Sequence, residues 1–259
     1  MLAPQRQAEI LHRVRTTGGV RVSELVAEFQ VSDMTIRRDL ETLAERGLLA
    51  KVHGGATITP AGSTDEPGFA AKSARQRAEK AAIAARAAAL VTPGAAVALS
   101  AGTTTAALAR RLADLPDLTV ITNSVPVADV FYRGARTDQT VILTGGVRTP
   151  SDALVGPVAV AAIRSLHVDL LFLGVHGMSE RAGYSTPNLM EAEVDRALLA
   201  CAERLVVLAD STKWGTVGIS SIAGLGDAHT VITDGGLPPA GREALAAHVA
   251  DLVVVEVAR

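Results

Sequence analysis

The hydrophobic residues at the start of the chain recur every three or four positions, which is the period of an α-helix. They predict a helix over residues 4–17, a second helix capped by Ser23 and a third capped by Ser32. Residues 48–60 contain two short apolar runs around a glycine turn, which predicts a small hairpin. The residues predicted to face inward in the helices are Ile10, Leu11, Val14, Leu25, Val26, Phe29, Ile36, Leu40 and Leu43. Three helices and a hairpin in this order indicate a winged helix-turn-helix.

The pattern changes after residues 60–68, which are rich in proline, glycine and small polar residues and are typical of a linker. An alanine-rich stretch over residues 69–91 predicts one long helix. Beyond it, seven β-branched runs end in small polar residues, and most are followed by a helical segment. The runs are continuous rather than alternating, as in strands buried on both faces of a parallel sheet. The fold class is therefore α/β, with a winged helix-turn-helix domain (1–58), a linker (59–71) and a larger, mostly parallel α/β domain (72–259).

The third predicted helix carries the chemistry for DNA binding. If its apolar row faces inward, Met34, Arg38 and Glu41 lie on the opposite side. A recognition helix needs hydrogen-bond donors near its amino end, and the arginine guanidinium can bind guanine or phosphate there. The candidate DNA-binding residues are Ser32, Thr35, Arg37 and Arg38 on the helix and Lys51 and His53 on the wing. The alternative is that this face is only the solvated surface of a small helical domain.

Composition and charge narrow the class of protein. Apolar residues make up 48% of the chain and charged residues 20%, which is enough for a core and excludes a wholly disordered chain. The net charge is −2, so any DNA affinity must come from a few placed charges rather than a global field. Cys201 is the single cysteine, which excludes an internal disulfide, and we predict neither a metal nor a cofactor. With no long apolar stretch and no signal-peptide pattern, we expect a cytoplasmic protein that does not bind membranes.

The sequence VSDMTIRRDLETLAERGLL followed by KVHGGA resembles the DeoR family of bacterial transcriptional regulators. The signature of that family runs V-S-x-x-T-I-R-R-D-L, then a Leu-Leu pair and an H-G-G-A wing, and the match here is nearly complete. The resemblance implies that the helix-turn-helix proper extends from Val22 to about Glu41. It also implies that the partner of this domain is double-stranded operator DNA.

Small polar residues stand at the ends of five predicted strands, where an open parallel sheet binds its ligands. Gly102 allows a sharp turn, and the threonines at 103–105 offer hydroxyl and N–H groups at a helix start, which suits phosphate. Lys213 is the natural phosphate or carboxylate partner. The candidate effector-binding residues are Gly102, Thr103, Thr104, Thr105, Asn123, Ser124, Gly146, Gly177, Asp210 and Lys213. Taken singly, each group is also explained by ordinary turn chemistry.

This second region resembles the DeoR effector domain through the motifs G-T-T, T-N-S, G-G, F-L-G-x-x-G and D-S-x-K, in that order. The resemblance covers nearly the whole chain and implies the fold shared by ribose-5-phosphate isomerases and CoA transferases. It implies that residues 102–105 form a phosphate loop, that the other candidates line the pocket, and that the effector is a phosphorylated sugar. We expect a repressor of carbohydrate metabolism that forms a homo-oligomer, a dimer or larger, because one winged helix contacts only one half-site.

Two other functions stay open from the sequence. A sugar-phosphate isomerase needs a carboxylate base, and the related isomerases carry paired aspartates in the loop that matches residues 173–177, where this chain reads LGVHG. Glu191 and Glu193 are the carboxylates that could replace them, although such residues often lie on a solvated first helical turn. We therefore expect no enzyme activity. A purely architectural DNA-binding protein, the other alternative, would ignore all metabolites.

Overall fold

A computed structural model describes residues 2–17, 19–45, 48–52, 54–57, 68–134 and 136–257, without the side chains of residues 15, 16 and 71. The chain divides into two compact units between residues 61 and 62. The predicted linker residues 59–67 lie outside the described residues, and the exact domain boundaries stay predictions.

The first unit is a winged helix-turn-helix, as its hydrophobic spacing predicts. Its elements are α1 (Ala3–Thr17), β1 (Gly19–Arg21), α2 (Val22–Phe29), α3 (Asp33–Glu45), β2 (Ala50–Val52) and β3 (Gly55–Thr57). The three strands form an antiparallel sheet in the order β1-β3-β2. The predicted inward rows meet in one core, since Ile10, Leu25, Ile36, Leu40 and Leu43 are all 3% exposed or less.

The prediction that Ser23 caps the second helix is wrong. Helix α2 begins one residue earlier, with Arg21 in the N-cap position, because the end of β1 leads directly into it. The Glu24 carboxylate accepts a hydrogen bond from the Arg21 backbone N–H at 3.4 Å and takes the place of a serine cap. The prediction for Ser32 is confirmed, because its Oγ accepts the Thr35 N–H at 3.2 Å, ahead of α3.

The second unit contains a seven-stranded parallel sheet in the order β15-β14-β12-β9-β4-β5-β6. Its strands are β4 (Ala96–Leu99), β5 (Thr119–Thr122), β6 (Thr140–Leu143), β9 (Val168–Gly174), β12 (Ala202–Leu208), β14 (Thr230–Asp234) and β15 (Asp251–Val255). These are the seven predicted runs. The strand order reverses between β4 and β9, so a crevice is expected at the carboxyl ends of that pair.

Helices and short strands surround the sheet. The helices are α4 (Phe69–Ser73), α5 (Arg77–Ala88), α6 (Thr103–Leu112), α7 (Val125–Gly134), α8 (Pro157–Ile163), α9 (Leu189–Ala200) and α10 (Pro239–His248). The short strands are β7 (Val147–Arg148), β8 (Leu154–Val155), β10 (Gly177–Ser179), β11 (Gly183–Thr186) and β13 (Ser220–Ala223). They form a β7–β8 hairpin and a β10-β11-β13 antiparallel sheet, neither of which the hydrophobic pattern predicts.

The prediction of one long helix over residues 69–91 is wrong. Helices α4 and α5 are separate because Gln76 adopts a left-handed backbone with a φ of 49°. The Lys80 ammonium donates hydrogen bonds of 2.7 Å to the carbonyls of Lys72 and Arg75, where α4 ends. The expected burial on both faces also fails at β6, an edge strand on which Val141 and Leu143 are exposed.

Candidate DNA-binding surface and effector site

The exposed side of α3 carries the residues that its apolar row predicts. Arg38 and Glu41 are exposed, and Met34 is 76% exposed. The Arg38 guanidinium makes no hydrogen bond or ion pair with any side chain that the structure describes. It therefore has all of its N–H donors available for a base or a phosphate.

The other cations of this surface already have carboxylate partners. Arg37 forms an ion pair with Asp33, one helical turn earlier, and Lys51 on β2 lies 3.0 Å from a Glu41 carboxylate oxygen. Both ion pairs are exposed, so each contributes little to the stability of the fold. Each cation can therefore exchange its carboxylate partner for a DNA phosphate. The wing candidate His53 lies outside the described residues.

The amino end of α3 is held by two hydroxyl groups. Ser32 Oγ and Thr35 Oγ1 are 2.8 Å apart, and the Thr35 N–H donates to Ser32 Oγ. Ser32 is exposed and Thr35 is half-buried. The pair fixes the first turn of the helix, and its hydroxyl groups can also meet a DNA backbone.

A buried ion pair ties α1 to α3. Arg6 Nε lies 2.6 Å from Asp39 Oδ2, and Gln7 Nε2 donates to Asp39 Oδ1 at 2.8 Å. The side chains of Arg6 and Asp39 are 8% and 6% exposed. Sequence reasoning missed this contact, although Asp39 falls three positions after Ile36 and hence on the inward side of α3. The arginine-arginine-aspartate motif thus combines two outward cations with one structural anion.

The threonine loop, which comprises residues 102–105 after β4, lies at the crevice between β4 and β9. Thr105 is fully buried and its hydroxyl donates to the carbonyls of Ser100 and Gly102, at 2.7 and 3.0 Å. Ser100 Oγ in turn accepts the Gly174 N–H at 3.0 Å, which joins the ends of the two strands. The Thr105 hydroxyl proton is therefore used to hold the loop.

The start of α6 presents free backbone donors at this loop. The first hydrogen bond of the helix runs from the Ala106 N–H to the Gly102 carbonyl, so the N–H groups of Thr103, Thr104 and Thr105 precede the helical ladder. Thr103 is half-buried and Thr104 is 7% exposed. Such a helix start carries a partial positive charge and suits an anion.

The side chains of Asn123 and Ser124 form hydrogen bonds that hold neighbouring loops in place. Asn123 is 1% exposed, and its Oδ1 accepts the Ala101 N–H at 2.9 Å while its Nδ2 donates to the Leu154 carbonyl at 3.3 Å. Ser124 is fully buried and its Oγ accepts the Val127 N–H at 3.4 Å at the start of α7. Both residues thus position the crevice, and their contact with a ligand stays a prediction.

The two glycine candidates lie where backbones approach closely. A Cβ at Gly146, whose φ is 119°, would come within 2.4 Å of the Val155 carbonyl oxygen. A Cβ at Gly177 would come within 2.0 Å of the Thr216 carbonyl oxygen. Close packing of the chain explains both glycines, and their contact with an effector also stays a prediction.

Cations gather at the carboxyl end of β12. Asp210 is 1% exposed and accepts hydrogen bonds from the N–H and the hydroxyl of Thr212, in a short 3-10 turn that ends at Lys213. Lys80 is 7% exposed, and burial lowers its pKa to about 8. The Asp210 carboxylate opposes that shift, and three nearby cations add to it, namely Lys213, Arg75 and Lys72.

We refer to Lys72, Arg75, Lys80 and Lys213 as the cationic cluster. Asp210 is the carboxylate whose charge acts most strongly on the Lys80 ammonium, and the other three members of the cluster oppose it. The cluster therefore carries more positive than negative charge, which favours an added anion. Lys80 was not among the sequence candidates, since basic residues at 72–86 are equally explained as solvated helix-face charges.

The two candidate carboxylates of the enzyme hypothesis differ in their surroundings. Glu191 is half-buried, and the hydroxyl groups of Thr149 and Thr186 donate to it at 2.6 and 3.5 Å. The expectation of a solvated position is therefore wrong for Glu191. Glu193 is exposed and lies beside a separate cavity of about 350 Å³, near His167 and Cys201. That cavity opens at the amino ends of β9 and β12, away from the threonine loop.

Comparison with known proteins decides the family. A model of the DeoR-like helix-turn-helix domain matches residues 6–60, and a model of the DeoR C terminal sensor domain matches residues 75–235. The chain belongs to the DeoR family of transcriptional regulators. This family membership confirms the predicted resemblance and the DNA-binding regulatory function.

Relatives match this DeoR-family chain over most of its length. The HTH-type transcriptional regulator YgbI of Escherichia coli K12 is 37% identical over 257 residues, which is 99% of each chain. The transcriptional repressor AccR of Agrobacterium fabrum is 35% identical over 233 residues, or 89% of each chain. A ribose 5-phosphate isomerase A from Methanocaldococcus jannaschii is 17% identical, with a TM-score of 0.39 over 53% of this chain and 54% of that one, which is too low to support an argument.

The described residues of this DeoR-family chain contain neither a membrane-spanning helix nor a metal-binding cluster. No helix among them is long and apolar enough to cross a membrane. Their His, Cys, Asp and Glu side chains form no group of three or more that could hold a metal ion.

Proposed function

We propose that this DeoR-family regulator is a repressor whose sensor domain binds a phosphorylated sugar at the carboxyl ends of β4, β9 and β12. The cationic cluster carries this proposal, because it places three further cations within electrostatic reach of the buried Lys80 ammonium. The threonine loop provides a second anion-binding feature at the same end of the sheet.

The phosphate of the effector would contact the free N–H groups of Thr103 and Thr104 and the Thr104 hydroxyl. Lys80 and Lys213 would supply charge to the same group. A phosphate carries close to two negative charges at neutral pH and offers three acceptor oxygens, so it can use several donors at once. Gly102 would belong to the phosphate loop, and Gly146, Gly177 and Asp210 would form part of the pocket wall.

Operator binding would use α3 and the wing. Arg38 would reach a base edge or a phosphate directly, whereas Arg37 and Lys51 would first exchange their carboxylate partners for DNA phosphates. A homodimer or larger oligomer would present two such helices to half-sites about 34 Å apart, or a multiple of that spacing. The effector would favour protomer arrangements that misplace these helices, with a coupling free energy of about 1–3 kcal/mol.

A thermal-shift screen tests the effector site directly. The full chain is heated with a panel of sugar phosphates, each paired with its unphosphorylated sugar, and with inorganic phosphate. We expect one or more phosphorylated ligands to raise the melting temperature, while the matched sugars do not. The double variant Thr104→Val and Lys213→Ala should lose this response, and Arg77→Met on the exposed side of α5 should keep it.

Two outcomes would contradict the proposal. Equal melting-temperature shifts from sugars and sugar phosphates would show that the phosphate group does not contribute to binding, which contradicts an anion site. Conversion of a bound sugar phosphate to its aldose or ketose isomer would support an enzyme, and Glu191→Gln would then test whether that carboxylate is the base.

A further inference from the structure

Helix α4 is the first described element of the sensor unit and follows residues 58–67 in the chain. It contains only five residues, from Phe69 to Ser73, so it is too short to be stable by itself. Its position depends on contacts with the rest of the unit. Whatever changes those contacts also changes the point at which the chain enters the sensor domain.

Two contacts hold α4 to the loop between β7 and β8. The Phe69 N–H donates to the Pro150 carbonyl at 3.2 Å. The Lys72 ammonium donates to Ser151 Oγ at 2.7 Å, and Ser151 is 4% exposed. Both contacts join the first described residues of the unit to this loop, at the exposed Pro150 and at the buried Ser151.

A third contact comes from α5 and involves the effector site. The Lys80 ammonium donates to the carbonyls of Lys72 and Arg75, each at 2.7 Å, near the end of α4. A lysine ammonium has three N–H donors, so these two bonds leave one for another acceptor. The same ammonium lies within electrostatic reach of Asp210 and Lys213 at the end of β12.

We propose that α4 transmits effector binding towards the DNA-binding unit, and that Lys80 is the positioning residue that joins α4 to the effector site. This inference rests on the proposed function. Without an anion, the charges of Lys72 on α4 and of Arg75 just after it repel the Lys80 ammonium, which weakens the docking of α4. A bound phosphate offsets that repulsion and accepts the third Lys80 donor, so effector binding and α4 docking favour each other.

Hydrogen exchange of the full chain, with ribose 5-phosphate and with inorganic phosphate, measures this coupling. We expect each probe that raises the melting temperature to slow the exchange of the amides in Phe69–Ser73 by about fivefold or more, the lower end of typical coupling between sites. Helix α10, Pro239–His248, packs against β15 and the short turn at Leu225–Asp227, so its amides serve as the internal control. Lys80→Met should abolish the slowing, and Lys80→Arg should restore part of it because it keeps the charge.

The variant Ser151→Ala tests α4 docking without replacing a member of the cationic cluster. It removes the hydroxyl that accepts from the Lys72 ammonium, so α4 should exchange faster, while a smaller ligand-induced thermal shift persists because effector binding and α4 docking are coupled. Ser165→Ala, at an exposed serine after α8, is the matched control. On an operator selected from random duplex DNA, Ser151→Ala should reduce the effector response about fivefold or more, again the lower end of typical coupling.

The outcomes separate the two proposals. A raised melting temperature with unchanged α4 exchange overturns the role of α4 and leaves the effector site intact. An undiminished operator response in a folded Ser151→Ala variant overturns it as well. If no sugar phosphate of the panel shifts the melting temperature of the wild-type chain, the proposed function fails, and the role of α4 fails with it; if another member of the panel does, the exchange measurement uses that ligand. The exchange measurement on the wild-type chain needs no variant and so does not depend on whether Ser151→Ala folds.

Discussion

At the residue scale, two adjacent arginines on α3 have different contacts. Arg37 already pairs with Asp33, whereas Arg38 makes no polar contact with the side chains that the structure describes. Both arginines could be predicted as DNA-binding candidates from their position near the amino end of the helix. Their different availability could not, because it depends on which acidic neighbour lies within one helical turn on the same face.

Replacing Arg38 by alanine should weaken operator binding without changing the response of the sensor domain. The expected loss is about 1–3 kcal/mol if the guanidinium reads a base, and it should relax specificity at one position of the site. Fluorescence anisotropy on an operator selected from random duplex DNA measures the affinity at fixed salt. Arg37→Ala is the matched control and should cost less, so a larger loss for Arg37→Ala than for Arg38→Ala would contradict the assignment.

Lys80 should make the free energy of unfolding increase with pH in the alkaline range. Its pKa is about 8 in the folded chain, below the ordinary value of 10.5, so the unfolded chain binds the extra proton between those values. The free energy of unfolding should therefore rise as pH increases from about 7.5 to 9.5, and Lys80→Met should remove that rise. Urea denaturation followed by the fluorescence of Trp214, the single tryptophan, measures it. The same rise in wild type and variant would contradict a buried, charged Lys80.

At the element scale, the continuous apolar runs predict all seven strands of the parallel sheet. The break between α4 and α5 could not be predicted, because it arises from the left-handed backbone of Gln76 and from Lys80 reaching back to the carbonyls of α4. Residues 69–91 are rich in alanine throughout and contain no glycine or proline that would predict the end of a helix. The short β10-β11-β13 sheet was also missed, since three- and four-residue strands leave no measurable period.

The buried pair of Arg6 and Asp39 should be essential for the first unit. Asp39→Ala removes the carboxylate that lies 2.6 Å from the buried Arg6 guanidinium, and breaking a buried ion pair typically costs about 3–5 kcal/mol. The combined change Arg6→Met and Asp39→Leu should cost much less, because no charge stays buried. Trp214 reports only on the second unit, so Asp39→Ala should lower a circular-dichroism transition and leave the tryptophan transition unchanged. Equal stability of Asp39→Ala and wild type would show that the ion pair contributes nothing.

At the scale of the whole molecule, one unit carries the DNA-binding surface and the other carries the proposed effector site. The sequence predicts that the candidate effector residues lie at the carboxyl end of the sheet, because they follow apolar runs whose direction is known. It does not distinguish residues that face a ligand from residues that fasten the loops. Thr105, Asn123 and Ser124 have the residue types of a polar pocket, yet their side chains are buried and hydrogen-bonded to the backbone.

The affinity of the full chain for its selected operator, with and without a sugar phosphate, tests the central claim most directly. Anisotropy titrations at constant salt should include each sugar phosphate of the panel and its unphosphorylated sugar. For one or more phosphorylated ligands we predict that operator affinity falls by about 5–150-fold, while the matched sugar leaves it unchanged and Lys213→Ala abolishes the effect. Operator affinity that is the same with every sugar phosphate and with none would contradict the account.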